Sequence, residues 1–430
     1  MSIDTSLPTS ASGGAIVRER VRKRHFKLPI SLAVATALIW LMAFVFGRDG
    51  VSTYRLGDRT ASIDLGDIGV PTAPAVTICA IVLALLTAYA FWAVATFRKV
   101  GLWVPIVFAL LAVFAFLTWS AAGGLVPVTG LLFGAVSLSV PLVFGALGGV
   151  IGERVGVVNV AIEAQFLFAA FSSAVIASIT GSVLLGLVGA LVAGALVGAV
   201  LAVFSIKYLV EQVIVGVVLN VLITGLTSFL HGALLNPNSE ALNSPPRFPR
   251  VPIPFLSEIP ILGPVVFNQT LIVYIMYVAV PLVAWGLYKT RWGLRLRAVG
   301  EHPQAADTVG IKVNPTRFWN VLLAGAIAGI GGAYFTLGSV GSFDKEMTGG
   351  LGFIALAAVI FGGWDPVRAT LAALLFGFTT NLETLLTNLG SPIPSEFMAM
   401  LPYIVTVLAV VGFAGQVRAP AAAGKPYIKG

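Results

Sequence analysis

Residues 182–206 read SVLLGLVGALVAGALVGAVLAVFSI, a stretch with no charged side chain that ends at Lys207. An apolar run of about 20 residues is what a helix needs to cross the hydrocarbon core of a bilayer. Working outward, similar runs lie at roughly 28–47, 72–97, 101–121, 130–152, 156–180, 211–234, 269–289, 317–338, 351–363, 368–389 and 397–416. The expected fold is therefore an all-α polytopic membrane bundle of about twelve transmembrane segments. The run 351–363 is short for a crossing, so a half-helix or re-entrant segment is expected there, shielded by protein or a water-filled cavity.

Composition agrees with this. Of 430 residues, 58% are hydrophobic and 10% charged, and mean hydropathy is +0.97. A soluble domain carries about 25% charged residues, so this chain cannot clothe itself for water. Soluble enzymes, disordered proteins and disulfide scaffolds are excluded. The lone Cys79 permits no internal disulfide, and His25, His231 and His302 lack metal-ligand spacing.

The net charge of +8 reflects topology rather than a nucleic-acid partner. Arg18, Arg20, Arg22, Lys23, Arg24 and Lys27 hold the amino-terminal tail, residues 1–27, in the cytoplasm. Alternation of twelve spans then places about 20 of the 26 basic residues inside, and both termini are expected to be cytoplasmic. The first span, which shows no small-x-small cleavage site, reads as a signal anchor.

The chain divides into that tail, three accessory helices over 28–122, a core over 123–418 and a short tail over 419–430. Glycines become dense from residue 125. Pairs four apart (Gly145 with Gly149, Gly148 with Gly152, Gly194 with Gly198, Gly325 with Gly329) allow close helix approach in lipid. Residues 236–268 hold eight prolines and are expected to form a long loop, either a docking surface or a passive cap.

Polar residues inside apolar runs give the candidate site. A charge at mid-bilayer costs about 2.5–3.5 kcal/mol on insertion scales, so Glu163 should face protein or water. On a continuous helix, Asn159 and Glu163 share one face and Gln165 lies on another. The pair either lines a translocation pathway or clamps helices together. Asn220, Asn381 and Glu383 pose the same choice. The cytoplasmic loop 289–317 contains Pro303, suited to open a helix, and Gly310, suited to close it. About seven helical residues there would span about 10 Å. Such an exposed helix is either an anionic-lipid contact or a handle for a cytoplasmic partner.

Three stretches carry a resemblance. GLRLRAVGEHPQAADTVGIKV (293–313), followed by GAIAGIGGAYFTL (325–337), resembles the coupling segment of permease subunits of ATP-binding-cassette importers, the superfamily of branched-chain amino acid and ribose permeases. GERVGVVNVAIEAQ (152–165) resembles the signature ERxGVVNxGxEG of its nucleoside branch, which works with lipoprotein receptors of the basic-membrane-protein type. GGLGFIALAAVIFGGWDPVRA (349–369) resembles the same branch. Ala161 and Ala164 stand where that signature has glycine, and the leading helices extend beyond the core it covers.

The resemblance implies a non-catalytic subunit of the bacterial cytoplasmic membrane that imports nucleosides, with ribose-type sugars as the alternative. Gly300, Glu301, His302, Pro303, Ala305, Ala306, Asp307 and Gly310 would form the coupling helix against a separate ABC ATP-binding subunit. A second homologous permease would complete a heterodimer, and an extracellular substrate-binding lipoprotein would deliver solute. No cofactor is expected on this chain; it lacks a G-x-x-x-x-G-K-[ST] phosphate loop, so ATP would be hydrolysed by the partner. Two other classes remain open: an ion-coupled secondary transporter with Glu163 as the ion site, and a membrane scaffold that carries no solute.

Overall fold

The computed structural model describes residues 26–57, 65–389, 397, 400 and 418–429. Among them, ten helices are long and apolar enough to cross a membrane. All of the predicted span 397–416 except Phe397 and Met400, and residues 1–25 of the predicted tail 1–27, lie outside the described residues.

In chain order the elements begin with α1 (Lys27–Phe44), β1 (Val51–Arg55), β2 (Asp67–Pro71), α2 (Thr72–Ala95) and α3 (Trp103–Ser120). Next come β3 (Leu125–Pro127), α4 (Val128–Arg154), α5 (Ile162–Thr180), α6 (Val183–Ala202), α7 (Gln212–Leu230) and α8 (Ser239–Leu242). Then follow β4 (Arg250–Pro252), β5 (Asn268–Thr270), α9 (Leu271–Lys289), α10 (Arg291–Glu301) and α11 (Pro303–Thr308). The last are α12 (Val313–Ala333), α13 (Leu351–Phe361) and α14 (Pro366–Asn388). Wider π-helical turns extend α6 to Lys207, α7 to Leu235 and α12 to Val340.

The five strands among the described residues were not expected from the sequence. They form a β2-β1-β3 sheet and a β4-β5 pair, both at the end of the bundle where α4 begins. β4-β5 brackets part of the proline-rich stretch, and that stretch is pinned onto the last turns of α12 and the loop after it. Asn243 Nδ2 donates to the Phe343 carbonyl (2.9 Å), the Phe343 N–H donates to Asn243 Oδ1 (2.6 Å), and the Phe248 N–H donates to the Leu337 carbonyl (2.9 Å).

Helices α1, α2 and α3 share an apolar cluster of their own that includes Leu32, Leu83 and Phe108. Thr36 and Thr87 join α1 to α2 through their hydroxyls at 2.9 Å. A second patch, Leu117 with Leu131, Leu382 and Leu386, ties α3 to α4 and α14.

The core is packed by glycine. A Cβ on Gly325 would meet the Gly194 carbonyl, and one on Gly329 would meet the Ala190 carbonyl, so α6 and α12 touch backbone to backbone. In lipid, where apolar side chains gain nothing from leaving water, such close contact is a main source of helix association. Gly148 of α4 abuts the Ala324 carbonyl of α12, and Gly145 faces Ala355 of α13. Around these contacts lies one continuous apolar core from α4 to α14.

Three boundaries differ from expectation. α5 begins at Ile162 rather than near 156, because residues 155–161 are unwound. Asn159 therefore precedes the helix and does not share a helix face with Glu163. The loop 289–317 is largely helical: α10 fills its first part and α12 starts at Val313, so Arg317 lies inside a helix and is 2% exposed.

Candidate functional site

Two broken elements meet inside the bundle. One is the unwound stretch 155–161 between α4 and α5, and the other is the start of the short helix α13. At about 1.5 Å per residue, the 11 residues of α13 cover roughly 16 Å, half a bilayer core. Irregular backbone at such depth must find its hydrogen bonds within the protein.

Glu163, in the first turn of α5, provides them for α13. Its Oε1 accepts from Thr348 Oγ1 (2.5 Å) and the Gly350 N–H (2.9 Å); its Oε2 accepts from the Gly352 N–H (2.6 Å). Gly350 has φ +82, a left-handed conformation glycine adopts without strain, and it aims these N–H groups at the carboxylate. The carboxylate thus sits at the N-termini of α5 and α13, where both helix dipoles favour a negative charge.

Helix α7 splints the unwound stretch. Gln212 Oε1 accepts from the Val158 N–H (2.7 Å). Two turns along, Asn220 Oδ1 accepts from the Ala164 N–H (2.9 Å) while its Nδ2 donates to the Val160 carbonyl (3.0 Å). Asn159 turns inward to Gln165: Asn159 Nδ2 donates to Gln165 Oε1 at 3.1 Å, and the reciprocal bond is 3.4 Å. Asn159, Glu163 and Asn220 are thus brought together around the start of α5. All three are buried and bonded to protein. Asn381 is elsewhere: its Nδ2 donates to the Leu131 carbonyl (2.7 Å), joining α14 to the first turn of α4. Glu383 is half-buried and belongs to neither group.

A third network joins the C-terminal ends of α4 and α9 to the α13–α14 turn. Trp364 Nε1 donates to Glu153 Oε2 (2.5 Å), and Arg154 Nε donates to the Trp364 carbonyl (2.9 Å). Trp364 has φ +55, a strained value for a bulky residue, which these bonds help to hold. Asp365 caps α14 through the Val367 and Arg368 N–H groups (3.0 Å each) and accepts from the Tyr288 hydroxyl (2.9 Å).

The segment expected to couple, within loop 289–317, meets this network at Arg154. α10 is capped by Thr290, whose Oγ1 accepts from the Gly293 N–H (3.2 Å). Leu296, Val299 and Gly300 face the bundle, and a Cβ on Gly300 would strike the Arg154 carbonyl. α11 starts on Pro303 and gives way to Gly310 at φ +87. Pro303 and Ala306 are buried, Asp307 is half-buried, and Glu301, His302, Gln304, Ala305 and Thr308 are exposed. Contacts therefore run without a gap from α10 through Arg154 and Trp364 to α13, Glu163 and α5.

Four participants, Gln212, Thr348, Glu153 and Trp364, escaped the sequence reading. Gln212 lies eight residues before the predicted Asn220 on an otherwise apolar helix, a spacing that marks one face. Thr348 sits immediately before the glycines that open the short helix. Glu153 and Trp364 lie in two of the quoted motifs, but their pairing spans 211 residues and leaves no local trace. At the strand-bearing end, a cavity of ≈ 340 Å³ is lined by residues including Arg55, Phe133, Arg250 and Asn268, with the Arg250 guanidinium 4.4 Å from the Phe133 ring centroid.

A polytopic bundle with broken helices inside and an exposed amphipathic pair at one end has the architecture of a membrane transporter's permease component. The family described as branched-chain amino acid transport system / permease component matches residues 131–410, and the chain belongs to it. It is a multi-pass membrane protein and a non-catalytic component. The guanosine ABC transporter permease protein NupQ of Bacillus subtilis is 40% identical over 299 residues, covering 67% of this chain and 93% of that one. The nucleoside ABC transporter permease protein NupC of Lactococcus lactis is 40% identical over 305 residues, covering 68% and 94%. The putative glucose ABC transporter permease protein TsgC13 of Haloferax volcanii is 34% identical over 258 residues, covering 59% and 77%. No solved structure matches this chain.

Proposed function

We propose that this chain is the permease subunit of an ATP-driven nucleoside importer in a bacterial plasma membrane. Supporting this are its two relatives at 40% identity, whose names specify guanosine and nucleosides. The observation that carries the mechanism is the unbroken contact route from the exposed α10–α11 pair to the two helix breaks. A separate ATPase docks on the exposed face of α11 from the cytoplasm, with Ala305 at its centre. Its closure displaces α10 and α11, Gly300 presses on the end of α4, and α13 and α5 shift about Glu163. Asn159, Glu163 and Asn220 frame the path by fixing its broken walls, and Asn381 and Glu383 flank it along α14. Solute arrives from a receptor lipoprotein at the strand-bearing end, and a second homologous permease completes the path. Both chain termini lie in the cytoplasm on this account, and no cofactor binds this chain directly.

The glucose-linked relative favours a sugar as the second reading. Competition separates the two. Uptake of labelled guanosine in cells carrying the gene should be lost on its deletion and blocked by excess adenosine or uridine. Block by ribose or glucose, with no effect of nucleosides, would move the assignment to sugars.

A further inference from the structure

The segment 418–429 lies beyond the span 131–410 that the family matches, yet it is docked on the coupling end. It reaches three elements at once. The Ala422 N–H donates to the Gly300 carbonyl (2.9 Å), and the Ala421 N–H donates to Glu301 Oε2 (3.3 Å), binding it to α10. The Tyr427 side chain lies beside Asp307 of α11, and the residue is 6% exposed. Arg317 Nη1 of α12 donates to the Lys425 carbonyl (2.9 Å). The segment also covers the unwound stretch: a Cβ on Gly156 would lie 3.3 Å from the Ala422 carbonyl oxygen, and one on Gly424 would lie 3.7 Å from Val158.

We propose that residues 418–429 are a positioning strap that binds α10 and α11 to α12 and to the unwound stretch 155–158, so that the coupling helices and the broken wall move as one piece. This rests on the assignment of α10–α11 as the ATPase contact. The strap leaves His302, Gln304, Ala305 and Thr308 exposed, so it braces the docking face rather than hiding it. It adds little to the apolar core, with Pro420, Ala422 and Tyr427 its buried residues. Tyr427 joins the main apolar cluster, whose other buried members all lie between Val140 and Phe376. It does meet a polar need: among the described residues, Nε and Nη2 of the buried Arg317 have no partner, leaving the Lys425 carbonyl as the acceptor recorded for that guanidinium. A buried guanidinium that loses its acceptor is costly, so the strap and α12 are tied energetically as well as geometrically.

The test uses the full chain assembled with its ATPase in proteoliposomes, with labelled guanosine as solute. Deletion of 419–430, and Tyr427→Ala, should keep the chain folded but lower guanosine moved per ATP hydrolysed by threefold or more; Tyr427→Phe, which keeps the ring, should fall between. In a Glu301→Cys/Ala421→Cys chain, which itself loses one strap contact, a short bis-thiol crosslinker should leave that ratio within twofold of the same chain's value before crosslinking, because strap and α10 travel together. An unchanged ratio on deletion, loss of the chain from the membrane, or a crosslink that stops transport would overturn the proposal, the last by showing a lid that must open. Guanosine uptake by the unaltered chain in the same vesicles checks the transport assignment separately. If that uptake is absent, the strap is still read by amide hydrogen exchange: deletion of 419–430 should speed exchange across residues 155–158 and 300–308, and unchanged exchange there would overturn it.

Discussion

Glu163 is one carboxylate answering three donors, two of them backbone N–H groups that open a helix. Glutamine has a single acceptor oxygen, and its amide nitrogen would face one of those N–H groups. Glu163→Gln should therefore cost about 1–3 kcal/mol. The expected result is a lower thermal midpoint in detergent together with reduced uptake, whereas an unchanged midpoint would show that the carboxylate does not hold α13. Polarity in an apolar run was enough to single out Asn159, Glu163 and Asn220 in the sequence. Their geometry was not legible. Residues 157–162 read VVNVAI, and a continuous apolar run looks the same whether it is coiled or unwound. Glu163 also finds Thr348 and the glycines more than 180 residues away, at a distance that no local pattern encodes.

At the scale of elements, the spans were legible because bilayer thickness sets helix length. The glycine pairs were legible because small residues four apart define a contact face. The partner was not: that Gly194 and Gly198 meet Gly325 and Gly329 follows from the fold alone. Gly194→Leu should force α6 from α12, an overpacking cost of about 1–3 kcal/mol or more, read as loss of a monodisperse peak in size-exclusion chromatography. Gly225→Leu on α7 is the control. A Cβ there meets nothing within 4 Å, so that variant should behave as the parent. Equal behaviour of the two would remove the backbone contact from the account. The strands escaped notice because runs of three to five residues flanked by long apolar helices carry too little period-2 pattern to register.

At the scale of the whole molecule, hydropathy and charge alone fixed the class of solvent and excluded soluble chemistry. Short motifs carried the resemblance to ABC permeases, and the matched family bears it out. The three leading helices precede the match at residue 131 and form a separate cluster beside the core. The proposed coupling belongs to this scale, because it would join an exposed helix to breaks inside the bundle. Ala305→Trp places a bulky ring on the exposed face of α11, where it disturbs no buried contact. It should abolish ATP-linked uptake, measured as initial rate, while leaving thermal stability within about 0.5 kcal/mol of the parent. The most direct test of the central claim is guanosine uptake into vesicles holding the complete transporter, with a protonophore present and ATP supplied or withheld. Uptake that requires ATP, survives the protonophore and disappears in Ala305→Trp is the predicted result. Uptake that proceeds without ATP and collapses with the protonophore would contradict it and point to an ion-coupled carrier.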